Sequence, residues 1–493
     1  MLNPEESDKL LARTYANSDA TQEELDLCAL LMQQSRSGHL CIELDDDVQI
    51  KNPYIHQFAT LLYFQKNWEI ETRIVEELKR LITCPKQEVE EASKAASLTE
   101  EQASAVKQAL SHSLSLITGG PGTGKSYTAA QIVRTLLESS PTACIFIGAP
   151  TGKAAANLER SLKNQGAWGL NLQFGTLHKF LGIDPFSPLE EREKRIEDLI
   201  LIDEASMIDA RLFAELLPSV RSEAHLVLMG DAEQLPPVES GNIFADMVES
   251  KLIPLTRLTK SLRTDSQELL SLATAIQQGD VEEACIKLKI HSLIGSWWEM
   301  IEGKLFFPQK GEPHETALFA IMDQLRILSC VRTGPLGVNL INMEIEARLL
   351  EKMEEGQFLA LPIIICKNHP ATQLYNGDTG ILIRHAKEGL TDKDYALFKG
   401  RAPLPLFALP SYELGYCISV HKSQGSEYDE VLLLVPEGSE VFGKELLYTA
   451  VTRAKKRFAI QGEEKLLRVM LASKGKKRSG VVQRLENCKT PIQ

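Results

Sequence analysis

The sequence predicts an α/β protein in which two parallel sheets are flanked by helices. Short, continuous apolar runs alternate with amphipathic helical segments in two groups, at about residues 98–265 and 320–470. Continuous apolar runs are typical of strands that are buried on both faces of a parallel sheet. The runs of the first group lie at 114–118, 143–149, 198–203 and 225–230, and those of the second at 327–331, 361–366, 416–420, 430–435 and 457–461.

The composition narrows the class of protein. Lysine and arginine number 54 against 67 acidic residues, so the formal net charge is −13. This charge argues against a protein held on nucleic acid by its overall field, but it permits a local basic groove. The sequence contains no run of about 18 apolar residues, so no transmembrane helix is predicted. The acidic start does not resemble a targeting segment. The nine cysteines form no CxxC pair, which predicts a reduced, cytoplasmic protein without a zinc or iron–sulfur site.

The regions outside the two layers have weaker patterns. Residues 1–95 are predicted to be mostly helical, because 23–35 and 53–64 carry apolar residues at helical spacing. A polar linker is predicted at 87–97, after which Thr99 is placed to cap a helix. Turn residues within about 355–412 predict a small β insert in the second layer. The basic tail at 474–480 is predicted to be mobile.

A complete phosphate-binding loop follows the first strand. Residues 119–126 read GGPGTGKS and match GxxxxGK[ST], with a strand before and a helical pattern after them. Its glycines let backbone N–H groups turn toward phosphate oxygens, and the helix N-terminus adds partial positive charge. The alternative, a glycine-rich turn with a stray lysine, leaves the flanking strand and helix unexplained. Lys125 is predicted to reach the β- and γ-phosphates and Ser126 to bind Mg²⁺.

Polar side chains follow two later strands of the same group. Asp203 and Glu204 come directly after an apolar run, where a carboxylate can hold Mg²⁺ beside the loop and a neighbour can activate water. An acidic pair favoured by the dipole of a following helix is the alternative. Gln234 follows the next strand and is a candidate sensor of the γ-phosphate, although its surroundings also read as a turn.

The second group of strands carries two further polar motifs. Arg453 lies on the predicted helical stretch 448–454, from which an arginine could stabilise transition-state charge on a phosphate. A surface ion pair is the alternative for an isolated arginine. His421 and Ser423 lie in a donor-rich loop after the strand 416–420. Such a loop suits phosphate-backbone contact, and its alternative is an ordinary surface turn.

Taken in order, the motifs resemble the helicase series of superfamily I, in its 5′→3′ class and most closely the RecD type. They include LTEEQ (98–102), the phosphate loop, GAPTGKAAANL (148–158), TLHKFLG (176–182), LILIDEASMID (199–209), LMGDAEQLPPVESG (228–241), LTKSLR (258–263), GYCISVHKSQGSEYDEVLL (415–433) and LLYTAVTRAKKR (446–457). TGPLGVNLIN (333–342) and LYNGDTGIL (374–382) resemble additional signatures of the same type. The ordered set spans residues 98 to 457 and is far more specific than any single motif.

The resemblance implies a fold and roles for matching residues. It implies a helical partner-docking domain at 1–95, a first RecA-like motor domain at 96–265 and a second at 266–493, with an SH3-like insert at about 355–412. The nucleotide-binding residues expected for ATP are Gln102, Gly119, Gly120, Pro121, Gly122, Thr123, Gly124, Lys125, Ser126 and Tyr127. Those expected to act on the γ-phosphate, its Mg²⁺ and water are Lys125, Ser126, Asp203, Glu204, Gln234, Arg263 and Arg453. Those expected to touch single-stranded DNA are Pro150, Thr151, His178, His421 and Ser423.

The resemblance also implies partners. Relatives of the RecD type work with large RecB-like and RecC-like helicase–nuclease subunits of exonuclease V, and the short N-terminal region favours that arrangement over a stand-alone helicase. No nuclease pattern of spaced acidic residues occurs, so nuclease activity is expected in a partner. The charged segment 187–195 resembles a solvated helical face more than a strand-separating pin. Arg263 is followed by Thr264, so only the arginine of that motif is carried over.

Two rival functions stay open at this point. One is a stand-alone 5′→3′ helicase, and the other is a regulatory subunit that binds ATP without moving along DNA. A P-loop signalling GTPase is disfavoured, because no NKxD-type motif occurs and the motifs of the second half would have no role.

Overall fold

The structure is a computed structural model that describes residues 5–15, 21–44, 52, 54–84, 98–166, 171–183, 193–260, 267–290, 297–475 and 477–487. The predicted linker 87–97 lies outside the described residues, which resume at Leu98. Arg263 and residues 187–192 of the charged segment lie outside them too. The predictions made for these positions therefore stay predictions.

Helices and strands alternate along most of the described chain. The helices are α1 Glu6–Tyr15, α2 Gln22–Arg36, α3 Gln65–Thr83, α4 Glu100–Ser111, α5 Lys125–Ser139, α6 Gly152–Asn164, α7 Leu177–Leu181, α8 Ala210–Ser219, α9 Ile243–Glu249, α10 Gln267–Gln278, α11 Val281–Ile290, α12 Trp297–Ile301, α13 Glu315–Gln324, α14 Val338–Glu351, α15 Gly443–Val451, α16 Glu464–Ala472 and α17 Val481–Glu486. The strands are β1 Cys41–Glu43, β2 Ile55–Phe58, β3 Leu61–Phe64, β4 Leu114–Gly119, β5 Ile145–Ala149, β6 Leu172–Thr176, β7 Leu199–Ile202, β8 His225–Gly230, β9 Leu255–Leu258, β10 Leu325–Ser329, β11 Leu359–Ile365, β12 Thr379–Arg384, β13 Tyr395–Leu397, β14 Leu404–Pro405, β15 Tyr412–Leu414, β16 Cys417–Ser419, β17 Tyr428–Val435 and β18 Ala454–Gly462.

The chain divides into two compact units. Unit 1 comprises Met1–Ala232, Pro236–Leu262 and Lys476–Gln493, and unit 2 comprises Glu233–Leu235 and Arg263–Gly475. The C-terminal segment thus groups with unit 1, whereas the predicted domain boundary kept it in the second motor domain. Within the described residues, no helix is both long and apolar enough to cross a bilayer.

Unit 1 contains the first predicted parallel sheet. Its six strands run in the order β6-β5-β7-β8-β4-β9, and every neighbouring pair is parallel. Buried aliphatic side chains cover both of its faces, as the continuous apolar runs predicted. The helix predicted after Thr99 is confirmed as α4, whose first turn is capped by the Thr99 hydroxyl.

The N-terminal region of unit 1 is not wholly helical. The predicted helix within 23–35 is confirmed as α2. Residues 55–64 of the second predicted helix, 53–64, instead form the hairpin β2–β3, so that prediction is wrong. Ala59 has a φ of 50° in the turn between these strands, and β3 also pairs with β1. Aromatic and aliphatic side chains suit such a pleated surface, and Tyr63 is fully buried in it. A short apolar segment can match both periodicities, and tertiary packing decided this one.

The C-terminal segment is held against the N-terminal region of unit 1, so its predicted mobility is wrong. The backbone carbonyl of Arg478 accepts the N–H of Leu40 at 2.9 Å, which extends the β1 region. Lys477 Nζ donates to the carbonyls of Pro237 and Val238, both at 2.6 Å, and to that of Glu239. Burial lowers the pKa of Lys477 to about 8, although nearby carboxylates oppose the shift. Backbone carbonyls thus compensate the basic charge that suggested a solvated tail.

Unit 2 contains two sheets. The parallel sheet has the order β16-β10-β17-β18, which confirms the second predicted α/β layer. The second sheet is antiparallel, has the order β14-β13-β12-β11-β15 and occupies Leu359–Leu414. It provides the predicted β insert, while its likeness to an SH3 fold stays a prediction. The apolar run 361–366 belongs to β11 of this sheet, so its predicted place in a parallel sheet is wrong. Burial on both sides of a strand does not distinguish the two cases.

Candidate active site

The phosphate-binding loop joins β4 to α5 in unit 1. Gly122 and Gly124 have φ values of 76° and 85°, which residues with a Cβ rarely adopt, so these positions require glycine. Lys125 Nζ donates to the carbonyls of Gly119 at 2.6 Å and Gly120 at 3.1 Å. The ammonium group therefore folds back over the loop, in the region where phosphate oxygens would lie. The predicted loop and the predicted helix after it are both confirmed.

The sheet order brings the next predicted residues to the same edge. β4 pairs with β8, and β8 pairs with β7, so the carboxyl ends of these strands are neighbours. Asp203 follows β7, and its Oδ1 accepts the N–H of Glu204 at 2.8 Å. Burial raises the pKa of Asp203, and the positive charge of Lys125 opposes that rise. Asp203 and Lys125 are therefore electrostatic neighbours, as the motif spacing predicts.

The donor set at this edge fits a magnesium ion. Burial raises the pKa of the Asp203 carboxyl group, and the charge of Lys125 offsets this rise only in part. A further positive charge beside Asp203 would therefore stabilise its carboxylate form. Mg²⁺ prefers oxygen ligands and commonly takes one or two carboxylates together with substrate phosphates. Asp203 and the hydroxyl of Ser126, in the first turn of α5, offer this chemistry.

Glu204 adopts a backbone conformation that is unusual for a residue with a side chain. Its φ and ψ are 54° and 38°, in the left-handed region, directly before a 3-10 turn at Ala205–Met207. Such conformations cost of order 1–3 kcal/mol and are concentrated at functional sites.

Gln102 lies at the start of α4 and is almost fully buried. Its side-chain oxygen accepts the N–H of Thr99 at 3.1 Å, while the Thr99 hydroxyl accepts the N–H of Gln102 at 3.2 Å. This reciprocal capping box fixes the side chain of Gln102 in one orientation. Its predicted role at adenine stays a prediction.

The segment Glu233–Leu235, which contains Gln234, groups with unit 2 rather than with the strand β8 that precedes it. Leu235 N donates to the hydroxyl of Thr449 at 2.9 Å, and Gln424 Nε2 donates to the carbonyl of Leu235 at 3.3 Å. Leu235 is 2% exposed within the apolar core of unit 2. The residue after the candidate sensor is therefore anchored to α15, one turn before Arg453.

Replacing Thr449 with valine is expected to destabilise unit 2 by about 1–3 kcal/mol, because the buried N–H of Leu235 would lose its acceptor. Chemical denaturation measures this change. Thr274→Val is the matched control, since the Thr274 hydroxyl only donates to the Leu270 carbonyl on an exposed part of α10. Equal stability of the two variants would show that the anchor contributes nothing.

Arg453 is buried in unit 2, with 3% of its surface exposed. Its guanidinium donates to the carbonyls of Thr449 at 3.1 Å and Ser426 at 3.3 Å, and to the Thr452 hydroxyl at 3.3 Å. Arg453 is therefore buried and bonded to carbonyl and hydroxyl oxygens, so it does not form the surface ion pair that was the alternative. Its predicted action on a γ-phosphate would require these bonds to be exchanged.

Three of the residues predicted to touch DNA lie together in unit 1. Pro150 and Thr151 follow β5, and His178 lies just after β6, the parallel neighbour of β5 with Ala149 opposite Thr176. All three are partly exposed. The Thr151 hydroxyl caps α6 by accepting the N–H of Ala154 at 3.3 Å. These residues therefore follow the carboxyl ends of two neighbouring strands, and their contact with DNA stays a prediction.

The other two lie in unit 2 on a 3-10 turn, His421–Ser423, after β16. His421 is partly exposed and its ring contacts that of Phe442. Ser423 is fully buried, and its hydroxyl donates to the Val420 carbonyl at 2.6 Å. In this conformation Ser423 shapes the turn, and a contact with DNA through its hydroxyl stays a prediction.

Sequence reasoning missed residues that the structure brings to this turn. Lys422 forms an ion pair with Glu413, which also pairs with Arg332 at 2.8 Å. Lys422 lies within the motif at 415–433, and its charge could have marked it as a candidate for DNA contact. Glu413 belongs to β15 of the insert and carries no motif signal.

Two family models match the chain. The AAA domain model matches residues 97–296, and the UvrD-like helicase C-terminal domain model matches residues 414–460. The first match contains the phosphate loop, Asp203 and Gln234. The second contains the turn His421–Ser423 and Arg453. The two matches therefore include predicted site residues of both units.

Several curated relatives are similar over most of the chain. The RecBCD enzyme subunit RecD of Mycolicibacterium smegmatis is 32% identical, over 88% of this chain and 84% of the relative. The subunit of that name from Haemophilus influenzae is 26% identical over 92% and 84%. The ATP-dependent RecD2 DNA helicase of Deinococcus radiodurans is 30% identical, over 74% of this chain and 49% of the relative. A Pif1 helicase from Bacteroides, solved with ADP-AlF3 and ssDNA, is 17% identical with a TM-score of 0.47, over 79% and 97%.

Proposed function

This chain belongs to the RecD family of superfamily I DNA helicases, and from this premise we propose that it is a 5′→3′ motor on single-stranded DNA within an exonuclease V complex. It would act in double-strand break repair and homologous recombination. The observation that carries the proposal is that Lys125, in the loop after β4, and Asp203, directly after β7, lie at the same carboxyl edge of the first sheet. A motor that hydrolyses ATP at such a site must also contact the DNA strand on which it does work. We assign that contact to the residues at strand ends that are described below.

Hydrolysis is assigned to residues around the phosphate loop. Lys125 binds the β- and γ-phosphates of ATP, and Ser126 with Asp203 holds Mg²⁺. The metal, when bound, neutralises charge that develops on the phosphate oxygens. Glu204, whose left-handed backbone conformation directly follows Asp203, orients and deprotonates the attacking water. Catalysis is then mostly positioning together with electrostatic stabilisation.

Coupling to movement is assigned to Gln234, Arg263 and Arg453. Gln234 senses the γ-phosphate, and its neighbour Leu235 passes the state to Thr449 through the anchor described above. Arg453 and Arg263 stabilise transition-state charge on the γ-phosphate. For Arg453, engagement would replace its bonds to Thr449 and Ser426 with bonds to phosphate oxygens. That exchange gives the unit two arrangements, which a motor requires.

Contact with the single-stranded DNA is assigned to loops that follow β-strands in both units. Pro150, Thr151 and His178 contact it in unit 1, while His421 and the turn around Ser423 contact it in unit 2. Contacts of this kind position a nucleic acid backbone without reading its sequence. A net charge of −13 is compatible with them, because only the local field along the strand matters.

The proposed partners are large RecB-like and RecC-like helicase–nuclease subunits in the cytoplasm. The N-terminal region is the proposed docking domain for them. A buried ion pair between Glu71 and Arg484 fastens it to the C-terminal segment of unit 1. The nuclease centre is assigned to a partner, because this chain offers no acidic nuclease pattern.

A strand-separation assay tests this function. The purified chain, alone and with its co-purified partners, is given duplexes with a 5′ tail, a 3′ tail or no tail, together with ATP and Mg²⁺. We expect displacement from the 5′-tailed duplex. Displacement by the chain alone would favour a stand-alone helicase, and ATP binding without directional displacement even in the complex would favour a regulatory subunit.

A further inference from the structure

Two cations of unit 2 leave its parallel sheet at equivalent positions. β10 and β16 are parallel neighbours, with Ser329 opposite Ser419. Arg332 lies three residues after Ser329, and Lys422 lies three residues after Ser419. Ligands of open α/β sheets bind at the carboxyl ends of the strands. Both side chains therefore occupy the edge at which the proposed DNA path crosses this unit.

A carboxylate from the insert holds both cations. Glu413 lies on β15, the edge strand of the antiparallel sheet, and pairs there with β11. One of its oxygens accepts from Arg332 at 2.8 Å, and the other accepts from Lys422. The side chain of Glu413 is 22% exposed, and those of Arg332 and Lys422 are 55% and 30% exposed. The cluster therefore faces solvent, and an incoming anion can reach it.

The electrostatics of the cluster match those of a bound phosphate. Burial alone would raise the pKa of Glu413, but hydrogen bonds and charge from Lys422 and Arg332 outweigh it and lower that pKa. Glu413 is thus an anion that bridges two cations with two oxygens. A phosphodiester also presents two charged oxygens, and arginine binds either group through parallel N–H donors.

We propose that Glu413 stands in for a DNA phosphate between Arg332 and Lys422 and is displaced when the strand binds. The inference rests on the proposed function, because it takes the ligand to be single-stranded DNA. The carboxylate keeps both cations oriented when no DNA is present. It also lowers the affinity for the strand, since binding must break its two ion pairs. A motor that releases DNA in every cycle benefits from such a competitor.

Replacing Glu413 with glutamine tests the inference. The variant keeps the shape of the side chain but removes its charge, so Arg332 and Lys422 become available to phosphates. We expect the full chain to bind a labelled oligo(dT) about 3- to 10-fold more tightly at low salt, with a salt slope close to that of the wild type, because the same two cations neutralise phosphates in both complexes. Fluorescence anisotropy across a salt series measures both quantities.

Glu430→Gln is the matched control. Glu430 also lies in unit 2, pairs with Lys304 and has a side-chain exposure of 25%. Its substitution changes the net charge by the same amount, and DNA affinity is expected to stay at the wild-type value. Glu413→Asp keeps the charge on a shorter side chain and is expected to fall between wild type and E413Q. It preserves the comparison if E413Q lowers the melting temperature.

A double-mutant cycle shows whether Glu413 competes with DNA for Lys422 or holds Lys422 in place for DNA binding. In a Lys422→Gln background, DNA binding is expected to be weaker and the gain from E413Q to be smaller than in the wild type, because only Arg332 is then released. The inference is overturned if E413Q binds no more tightly than E430Q, or if it binds more weakly than wild type, which would mean that Glu413 supports the cations for DNA. In either case DNA-stimulated ATP hydrolysis by the wild type would persist. Loss of the proposed function itself would instead appear as no binding of oligo(dT) by the wild type, and it would overturn this inference as well.

Discussion

Replacing Lys125 with glutamine should reduce ATP hydrolysis by about 100-fold or more, the loss that follows removal of one preorganised donor at a developing charge. The ammonium group already rests on the carbonyls of Gly119 and Gly120, so it needs little rearrangement to reach a phosphate. Glutamine fills similar space but carries no charge. Steady-state ATPase assays with and without single-stranded DNA measure the loss.

The fold should survive this substitution. Lys125 is only partly buried, at the first position of α5, and it has no part in the apolar core. The melting temperature is therefore expected to stay close to that of the wild type. Lys163→Gln removes an exposed lysine of α6, paired with Glu159 on the same helix, and should leave the ATPase rate unchanged. Normal DNA-stimulated hydrolysis by K125Q would show that the nucleotide site has been assigned to the wrong residues.

Replacing Arg484 with methionine should destabilise unit 1 by about 3–5 kcal/mol, the cost of leaving one member of a buried ion pair alone. Arg484 pairs with Glu71 at 3.3 Å, with side-chain exposures of 7% and 0%. Glu71 also accepts from the Tyr63 hydroxyl at 2.8 Å and from Gly480 N at 3.0 Å. The guanidinium lies 3.8 Å from the ring centre of Trp68, so a cation–π contact is lost too. Denaturant unfolding measures the change.

The pH dependence of this loss identifies its cause. Burial already raises the pKa of Glu71, and hydrogen bonds and the charge of Arg484 counter the rise. Without Arg484 the folded-state pKa rises further, so the folded protein binds a proton more readily than the unfolded chain does. The extra destabilisation is therefore present well above the ordinary carboxyl pKa and shrinks as the pH falls toward it. The loss should be smaller at pH 5 than at pH 8.

An exposed ion pair provides the comparison. Arg468 pairs with Glu282 in unit 2, where their side chains are 37% and 74% exposed. Arg468→Met should destabilise the protein far less than Arg484→Met, because water screens the charges of a surface pair. If R484M and R468M were equally stable, the C-terminal segment would not be fastened by the buried pair, and its place in unit 1 would need another explanation.

The nucleotide half of the site could be predicted because its chemistry is local in the sequence. The phosphate loop follows a strand and opens a helix, so residues 119–126 carry their own structural context. Asp203 is one residue beyond a buried strand, and parallel strands end at one edge. In each case a short motif and one rule of sheet topology sufficed.

Other features depend on contacts between distant segments, which leave no periodic signal. The hairpin β2–β3 was predicted as a helix because twelve residues with mixed apolar spacing fit both patterns, and pairing with β1 decides between them. The C-terminal segment reads as a solvated basic tail until Lys477 meets three backbone carbonyls. Glu413 reaches Arg332 across 81 positions of the sequence, so no spacing rule could have paired them.

The central claim, that this chain converts ATP hydrolysis into work on single-stranded DNA, is tested most directly by the ATPase rate of the wild-type chain as oligo(dT) is titrated. The account predicts a rate that rises with DNA concentration and saturates, with K125Q remaining at background throughout. A wild-type rate that is the same with and without DNA and equal to that of K125Q would contradict the account.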